Sequence, residues 1–514
     1  MKIAIIGGGI SGLATAYELE QARKHGADID WHLYEASNRL GGIVETTRIG
    51  SGDDSFILEG GPDGWVSEKP WARELAIELG LESDLISSND ATRKTWIYLD
   101  GRLQAIPDHM RLMVPEDLTA LDASPLFSAE AKRAYAAELT RSEELKASAP
   151  AHDETVATFV RRHFGHEVLA KIGAPLLSGV FGGDVETLSV RAVMPQFVAF
   201  EREYGSLIAA LQQRSRQRGE TPRQPIFTSL RNGLGSLPAA LIAKLPPERI
   251  HLNSPAFSLK REGKLWCVRY NTPSGRGIPG KSKKHFHHVF LAAPLDATAS
   301  LLKPIAPEAA ALLPIEASSA TLVCLVWPFQ PVQDPQVRPG APLTIPPGFG
   351  FLVPTTSLSS RPAPEPGEGE VERPASSPQR PEPQLLACTF VDQKFPHRAP
   401  AGSHILRAFF GSGSAEHFAA APDAEVAAEA LLQLRAIMGT LPDPDHDLTT
   451  VRRWPRSLPQ YEVGHLERIV ELDTRIAALG NLTLLGNAYR GVGLPDLIRD
   501  ARSAAKAIIE KATV

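Results

Sequence analysis

Lys2-Ile3-Ala4-Ile5-Ile6-Gly7-Gly8-Gly9-Ile10-Ser11-Gly12 begins as a short apolar run and meets glycine at position 7. A helical pattern follows at once, with Leu13, Ala16, Tyr17 and Leu19 on one face. Strand, glycine loop and helix in that order give G-x-G-x-x-G its proper setting. Gly7 permits a tight turn, Gly9 lets backbone approach a pyrophosphate, and Gly12 lets helix and strand pack closely. Gly8, Ile10 and Ser11 complete a loop whose helix N-terminus offers free N–H groups to an anion.

Working outward, a second strand is expected over residues 29–34 (IDWHLY), ending at Glu35, 23 residues past Gly12. That spacing is close to the ~20 residues at which a carboxylate meets a nucleotide ribose. Arg39-Leu40-Gly41-Gly42 follows, then Glu59-Gly60-Gly61-Pro62-Asp63-Gly64. An arginine beside a glycine pair suits a second approach of backbone to phosphate, with the guanidinium as anion clamp. The later Gly-Gly-Pro cluster would allow backbone to lie beside a flat ring. Two further clusters after Glu35 favour the longer FAD over a nicotinamide dinucleotide.

The 514 residues carry 54 Lys plus Arg against 59 Asp plus Glu, a formal charge of -5. There is no net basic field to hold nucleic acid. Cys267, Cys324 and Cys388 are scattered and odd in number, so neither a disulfide framework nor a metal site is expected. The His285, His287 and His288 cluster in KSKKHFHH reads as a solvated turn before a strand. No apolar run reaches the ~20 residues of a transmembrane helix. A reducing cytoplasm fits this composition best.

Proline is concentrated. Residues 331–400 hold 16 of the 43 prolines, and the centre, 355–384, contains almost no large apolar residue. Such a stretch cannot offset its ordering entropy by burial, so a disordered insertion is expected there. The runs at 348–353 (GFGFLV) and 385–391 (LLACTFV) would pair as a hairpin around it. Elsewhere, residues 80–215 carry helical periodicity, short strands return from about 226, and the chain ends in a strand and a helix.

The glycine motif, Glu35 and Arg39-Leu40-Gly41-Gly42, together with residues 175–184 (PLLSGVFGGD), 454–461 (WPRSLPQY) and 486–496 (GNAYRGVGLPD), resemble the oxygen-dependent protoporphyrinogen and coproporphyrinogen oxidases. That family belongs to the FAD-dependent amine oxidase and phytoene desaturase superfamily. The resemblance spans nearly the whole chain outside the insertion. It implies an α/β (α+β overall) fold with a discontinuous Rossmann-like FAD-binding domain at 1–80, 226–300 and 478–514. A helical lobe would occupy 81–225 and a mixed-sheet substrate domain 301–477.

The resemblance also implies roles. Gly7 to Gly12 would hold the pyrophosphate, and Glu35 with Ala36 the adenosine ribose. Arg39, Gly42, Ile43 and Gly61, Pro62, Asp63 and Gly64 would lie nearer the flavin. Ala256 stands where the family places a strand residue, often Val, against the adenine end. Trp454, Val492, Gly493 and Leu494 would complete the flavin environment. Pro495 suits the first turn of a terminal helix, whose N-terminus would face the flavin ring. FAD is expected to be non-covalent, since no Cys or His stands in the N-terminal motifs.

The implied reaction is oxidation of a porphyrinogen, protoporphyrinogen IX first and coproporphyrinogen III as alternative, with dioxygen as acceptor and hydrogen peroxide as product. No side chain is expected as catalytic acid or base. A tetrapyrrole needs an apolar slot with cations at its rim; Phe349, Phe351 and Phe390 are candidate walls, and Lys69, Arg93, Lys94 and Arg453 candidate cations. Plant relatives carry an arginine for this purpose near 93–96, and the resemblance places Thr95 at that position here, which leaves the propionate clamp open. Peripheral contact with the cytoplasmic membrane, a homodimer and transient contact with the next heme-pathway enzyme also remain open. Another amine oxidase-like flavoenzyme and a non-catalytic FAD-binding protein are the competing readings.

Overall fold

The computed structural model describes residues 1–219, 224–273, 280–314, 316–329, 343–354 and 383–513. Lys2–Ile6 is the central strand of a five-stranded, all-parallel sheet in the order Ile250–His251, Asp30–Tyr34, Lys2–Ile6, His288–Leu291, Leu482–Leu484. The run is apolar throughout because both faces are covered. Ile3 and Ile5 point to a core with the helices Ile10–Lys24 and Leu494–Thr513, whereas Ala4 and Ile6 point to a second core with Trp266 and Phe286. The terminal helix earns its place through Leu494, Leu497, Ile498, Ala501, Ala505 and Ile508, buried at helical spacing.

The other face of that sheet is covered by an antiparallel three-stranded sheet of Ala256–Glu262, Leu265–Thr272 and Gly280–Phe286. A separate mixed sheet of seven strands runs in the order Thr450–Pro459, Ala317–Trp327, His404–Gly411, Leu385–Phe390, Gly350–Leu352, Thr95–Leu99, Arg102–Ala105. The runs expected to flank the proline-rich insertion do pair, Gly350–Leu352 against Leu385–Phe390. The insertion itself, from 355 to 382, lies outside the described residues.

One boundary differs from expectation. Residues 95–105, expected in the helical lobe, supply two strands of the seven-stranded sheet, joined through Asp100 (φ +52°) and Gly101 (φ +74°). Asp-Gly with positive φ at both positions is a hairpin turn, and it overrides the helical texture around it. Helices do dominate from Thr119–Asp122 to Leu207–Arg218. Their core around Tyr135, Phe159 and Phe164 encloses His163, whose ring nitrogens lie 3.1 Å from both Glu138 and Glu201. Among the described residues no helix is long and apolar enough to cross a membrane.

Candidate active site

The three glycine clusters, at 7–12, 41–42 and 60–64, converge at the C-terminal ends of the parallel strands. Gly9 forms a bridge with Gly41, and Gly41 N donates to Gly8 O at 2.9 Å. Gly61 packs so tightly on Ile43 that an added Cβ would sit 1.9 Å from its carbonyl oxygen. Glu35, at the end of its strand, accepts from Gly8 N at 2.7 Å and from Ser37 N at 2.8 Å, so its carboxylate touches the glycine loop.

The glycines differ in what surrounds them. An added Cβ on Gly12 would lie 2.0 Å from Gly7 O, which is the close helix–strand contact. An added Cβ on Gly9 would meet protein only at Gly42 Cα, 4.0 Å away, so the groove is open there. No side chain caps the helix that starts at Ile10, and its first turn carries no acid. Open space over Gly9, facing an uncapped helix N-terminus, fits a pyrophosphate. Ala256 starts its strand opposite Tyr270.

Strand Thr450–Pro459 brings the edge of the seven-stranded sheet to these loops. Trp454 Nε1 donates to Gly60 O at 2.6 Å, and Arg39 lies 6.0 Å from the Trp454 ring centroid. Arg39 also donates to Gly42 O at 2.5 Å and pairs with Glu45 at 3.1 Å. It therefore braces the glycine pair itself. The segment 175–184 reaches the same strand: its helix Ala174–Phe181 ends at Gly182 (φ +68°), where Ser318 and Leu458 pack.

Beneath residues 59–64 lies an ionic cluster that sequence reasoning missed. Asp63 is held by Lys394 at 3.0 Å and Arg407 at 3.1 Å; Glu59 is held by Arg398 at 3.1 Å and receives Leu234 N at 2.7 Å. Arg407 also donates to Gly61 O. Burial alone would raise the Asp63 pKa, but the Lys394 and Arg407 cations outweigh it and lower it to about 2. For Glu59 burial wins, and its pKa is raised. The one sequence signal was an arginine inside the otherwise apolar strand His404–Gly411.

Val492 and Gly493 lead into the helix beginning at Leu494, as expected for the terminal segment. Tyr461 stacks on His465 and ties this segment down: its hydroxyl donates to Asn487 O at 2.6 Å and accepts from Gly491 N at 2.9 Å. A Tyr461→Phe variant leaves both groups without that partner. It is expected to lose about 1–3 kcal/mol and to release flavin more readily, read by thermal melting and by flavin retained on gel filtration.

The candidate substrate residues scatter. Phe351 and Phe390 are fully buried in the core of the seven-stranded sheet, 6.0 Å apart between ring centroids, so packing occupies them as it occupies any core aromatic. Phe349 sits at the edge of that core near Phe227. Lys69 is taken by Asp496 at 2.5 Å, Arg93 by Asp90 at 3.5 Å and Arg453 by Asp423 at 2.6 Å. Lys94 is exposed and makes no ion pair among the described residues. A cavity of about 1140 Å³ lies along helix Asp423–Met438, lined by Leu325, Phe418 and Leu431 among others, and touches none of the glycine clusters.

This fold, with an open glycine loop at an uncapped helix N-terminus, fits a protein that binds a nucleotide cofactor. The chain belongs to the flavin-containing amine oxidoreductases, whose family model matches residues 10–509. Within that family it groups with the porphyrinogen oxidases. It is 29% identical to the coproporphyrinogen III oxidase of Bacillus subtilis (strain 168), over 98% of this chain and 96% of the relative. It is 28% identical to the chloroplastic protoporphyrinogen oxidase of Oryza sativa subsp. japonica, over 99% and 88%. A crystal structure of a putative protoporphyrinogen oxidase from Exiguobacterium sp. 255-15 superposes with a TM-score of 0.76 at 30% identity, covering 99% of both chains. The fold also matches reduced UDP-galactopyranose mutase, with a TM-score of 0.65 at 14% identity.

Proposed function

We propose that this flavoenzyme binds FAD non-covalently and oxidises protoporphyrinogen IX to protoporphyrin IX, with dioxygen as acceptor and hydrogen peroxide as product. The observation that carries the reading is the convergence of Gly7–Gly12, Gly41–Gly42 and Gly60–Gly64 with Trp454 and the start of the terminal helix, in a chain so similar to porphyrinogen oxidases. Bound flavin supplies the two-electron chemistry, taken three times per substrate.

The chain's own residues bind, orient and shield. The first-turn N–H groups at Leu494 carry partial positive charge that favours an electron-rich ring beside them. Asp496 would blunt that pole, and Lys69, paired to it at 2.5 Å, offsets the carboxylate. Lys69 therefore serves the cofactor end more readily than a substrate propionate. No side chain need act as acid or base, because pyrrole N–H protons become acidic once hydride has left the substrate, and positioning does the rest.

Coproporphyrinogen III is the second reading, favoured by the Bacillus relative's name. It carries two more propionates, whereas three of the four candidate rim cations are already paired to Asp496, Asp90 and Asp423. Both porphyrinogens should be assayed aerobically, following porphyrin fluorescence and peroxide. The proposal expects faster turnover of protoporphyrinogen IX. A preference for coproporphyrinogen III reverses the substrate assignment, and flavin-replete protein inert to both overturns the enzymatic one.

A further inference from the structure

The face of the antiparallel sheet turned away from the parallel one gathers three different metal-ligating groups. Cys267 and His285 are direct cross-strand partners. Lys260 opposes Cys267 on the other side, and Glu262, two residues further along the same strand, shares its face. Glu262 Oε2 lies 2.8 Å from His285 Nε2, and the three donor atoms all lie within 4.8 Å of one another. These residues are 5 to 23 positions apart in sequence and form no recognisable ligand spacing; strand register alone assembles them.

We propose that Glu262, Cys267 and His285 form a binding site for one divalent zinc-type cation, with solvent as fourth ligand. One thiolate, one imidazole and one carboxylate is a donor set that zinc accepts, and water commonly fills the remaining position where the protein supplies three ligands. In tetrahedral zinc, bond lengths of ~2.1 Å to N and O place those donors ~3.4 Å apart. The observed 2.8 Å hydrogen bond would open by only about half an ångström on such an estimate. Glu262 and His285 are partly exposed while Cys267 is 1% exposed, so the site has a solvent-open side and a buried soft donor.

Charge balances on binding. Thiolate and carboxylate together neutralise the dication, and the Cys267 S–H bond is exchanged for an S–metal bond with the proton released to solvent; nothing is oxidised or reduced. Burial and the Glu262 carboxylate push the Cys267 thiol pKa up, with Lys283 and Arg269 acting the other way. A bound ion would cross-link all three strands of the sheet that begins at Ala256.

The test uses untagged, flavin-loaded protein titrated with Co²⁺ and then Zn²⁺. The expected result is one equivalent of Co²⁺ giving d–d bands to the red of the flavin absorption, abolished by Zn²⁺, together with a higher melting temperature in Zn²⁺. Cys267→Ser should lose both signals while keeping its flavin. His285→Gln, on the exposed edge of the site, should weaken binding by more than the ~10–100-fold that losing an outer-shell partner costs. Absence of these bands in the wild type, or equal uptake by Cys267→Ser and His285→Gln, overturns the site. Neither readout depends on the substrate assignment.

Discussion

An Asp63→Asn variant is expected to be destabilised by about 3–5 kcal/mol, the range for removing one partner from a buried ion pair. The substitution keeps the shape of the side chain and deletes its charge, leaving Lys394, Arg398 and Arg407 with Glu59 as the remaining anion of the cluster. Arg398 and Arg407 are 0% and 2% exposed, so water cannot compensate. Residues 60–64 rest on this cluster through the Arg407 contact to Gly61, and flavin content should fall with stability. Neutralising Lys394 in the same chain should recover part of the loss, because the two sites share one interaction.

The same carboxylate makes a pH prediction. Its pKa falls from the usual 3.8 to about 2 in the folded protein. A group depressed in this way stabilises fully above the unfolded value and loses that contribution as pH drops through the folded one, here between about 4 and 2. The shift corresponds to roughly 2 kcal/mol. Thermal midpoints of wild type and Asp63→Asn should therefore converge toward the acid end of that window. Parallel curves would show that the carboxylate is not ionised and paired in the native state.

Gly9→Ala and Gly12→Ala should fail in different ways. Gly12→Ala drives a Cβ to 2.0 Å from Gly7 O, a backbone atom that cannot turn aside, and the helix Ile10–Lys24 must lift off its strand. Overpacking of this kind costs about 1–3 kcal/mol or more, so melting temperature and flavin content should both fall. Gly9 has an extended backbone (φ -71°, ψ -176°) that alanine adopts freely, and its new methyl would meet no protein atom closer than 4.0 Å. Gly9→Ala should keep the melting temperature of flavin-free wild type while binding little flavin. Stoichiometric flavin in Gly9→Ala would move the pyrophosphate elsewhere.

The N-terminal motif was legible because every part of it is local: strand, turn, helix and acid follow one another, and the parallel strands at 2–6 and 30–34 stand where the pattern put them. The paired runs on either side of the insertion were legible for the same reason. The Asp100-Gly101 hairpin was hidden by helical texture on either side of a turn two residues long. Phe351 and Phe390 show the limit for aromatics, since a core platform and a pocket wall have the same composition and differ only in what faces them. Lys69 and Arg453 show it for cations, because their partners, Asp496 and Asp423, are chosen by the fold, whereas Arg93 meets Asp90 only three residues back.

By itself the sequence determined the class of sheet, the glycine loops and the family, since these rest on backbone freedom and periodicity within short windows. Only the tertiary structure decided which charges meet. It set Asp63 and Glu59 against three cations from residues 394–407, and it brought Glu262, Cys267 and His285 to one sheet face. Electrostatic contacts act over a few ångströms of space and are indifferent to separation along the chain, so no spacing rule could reveal them.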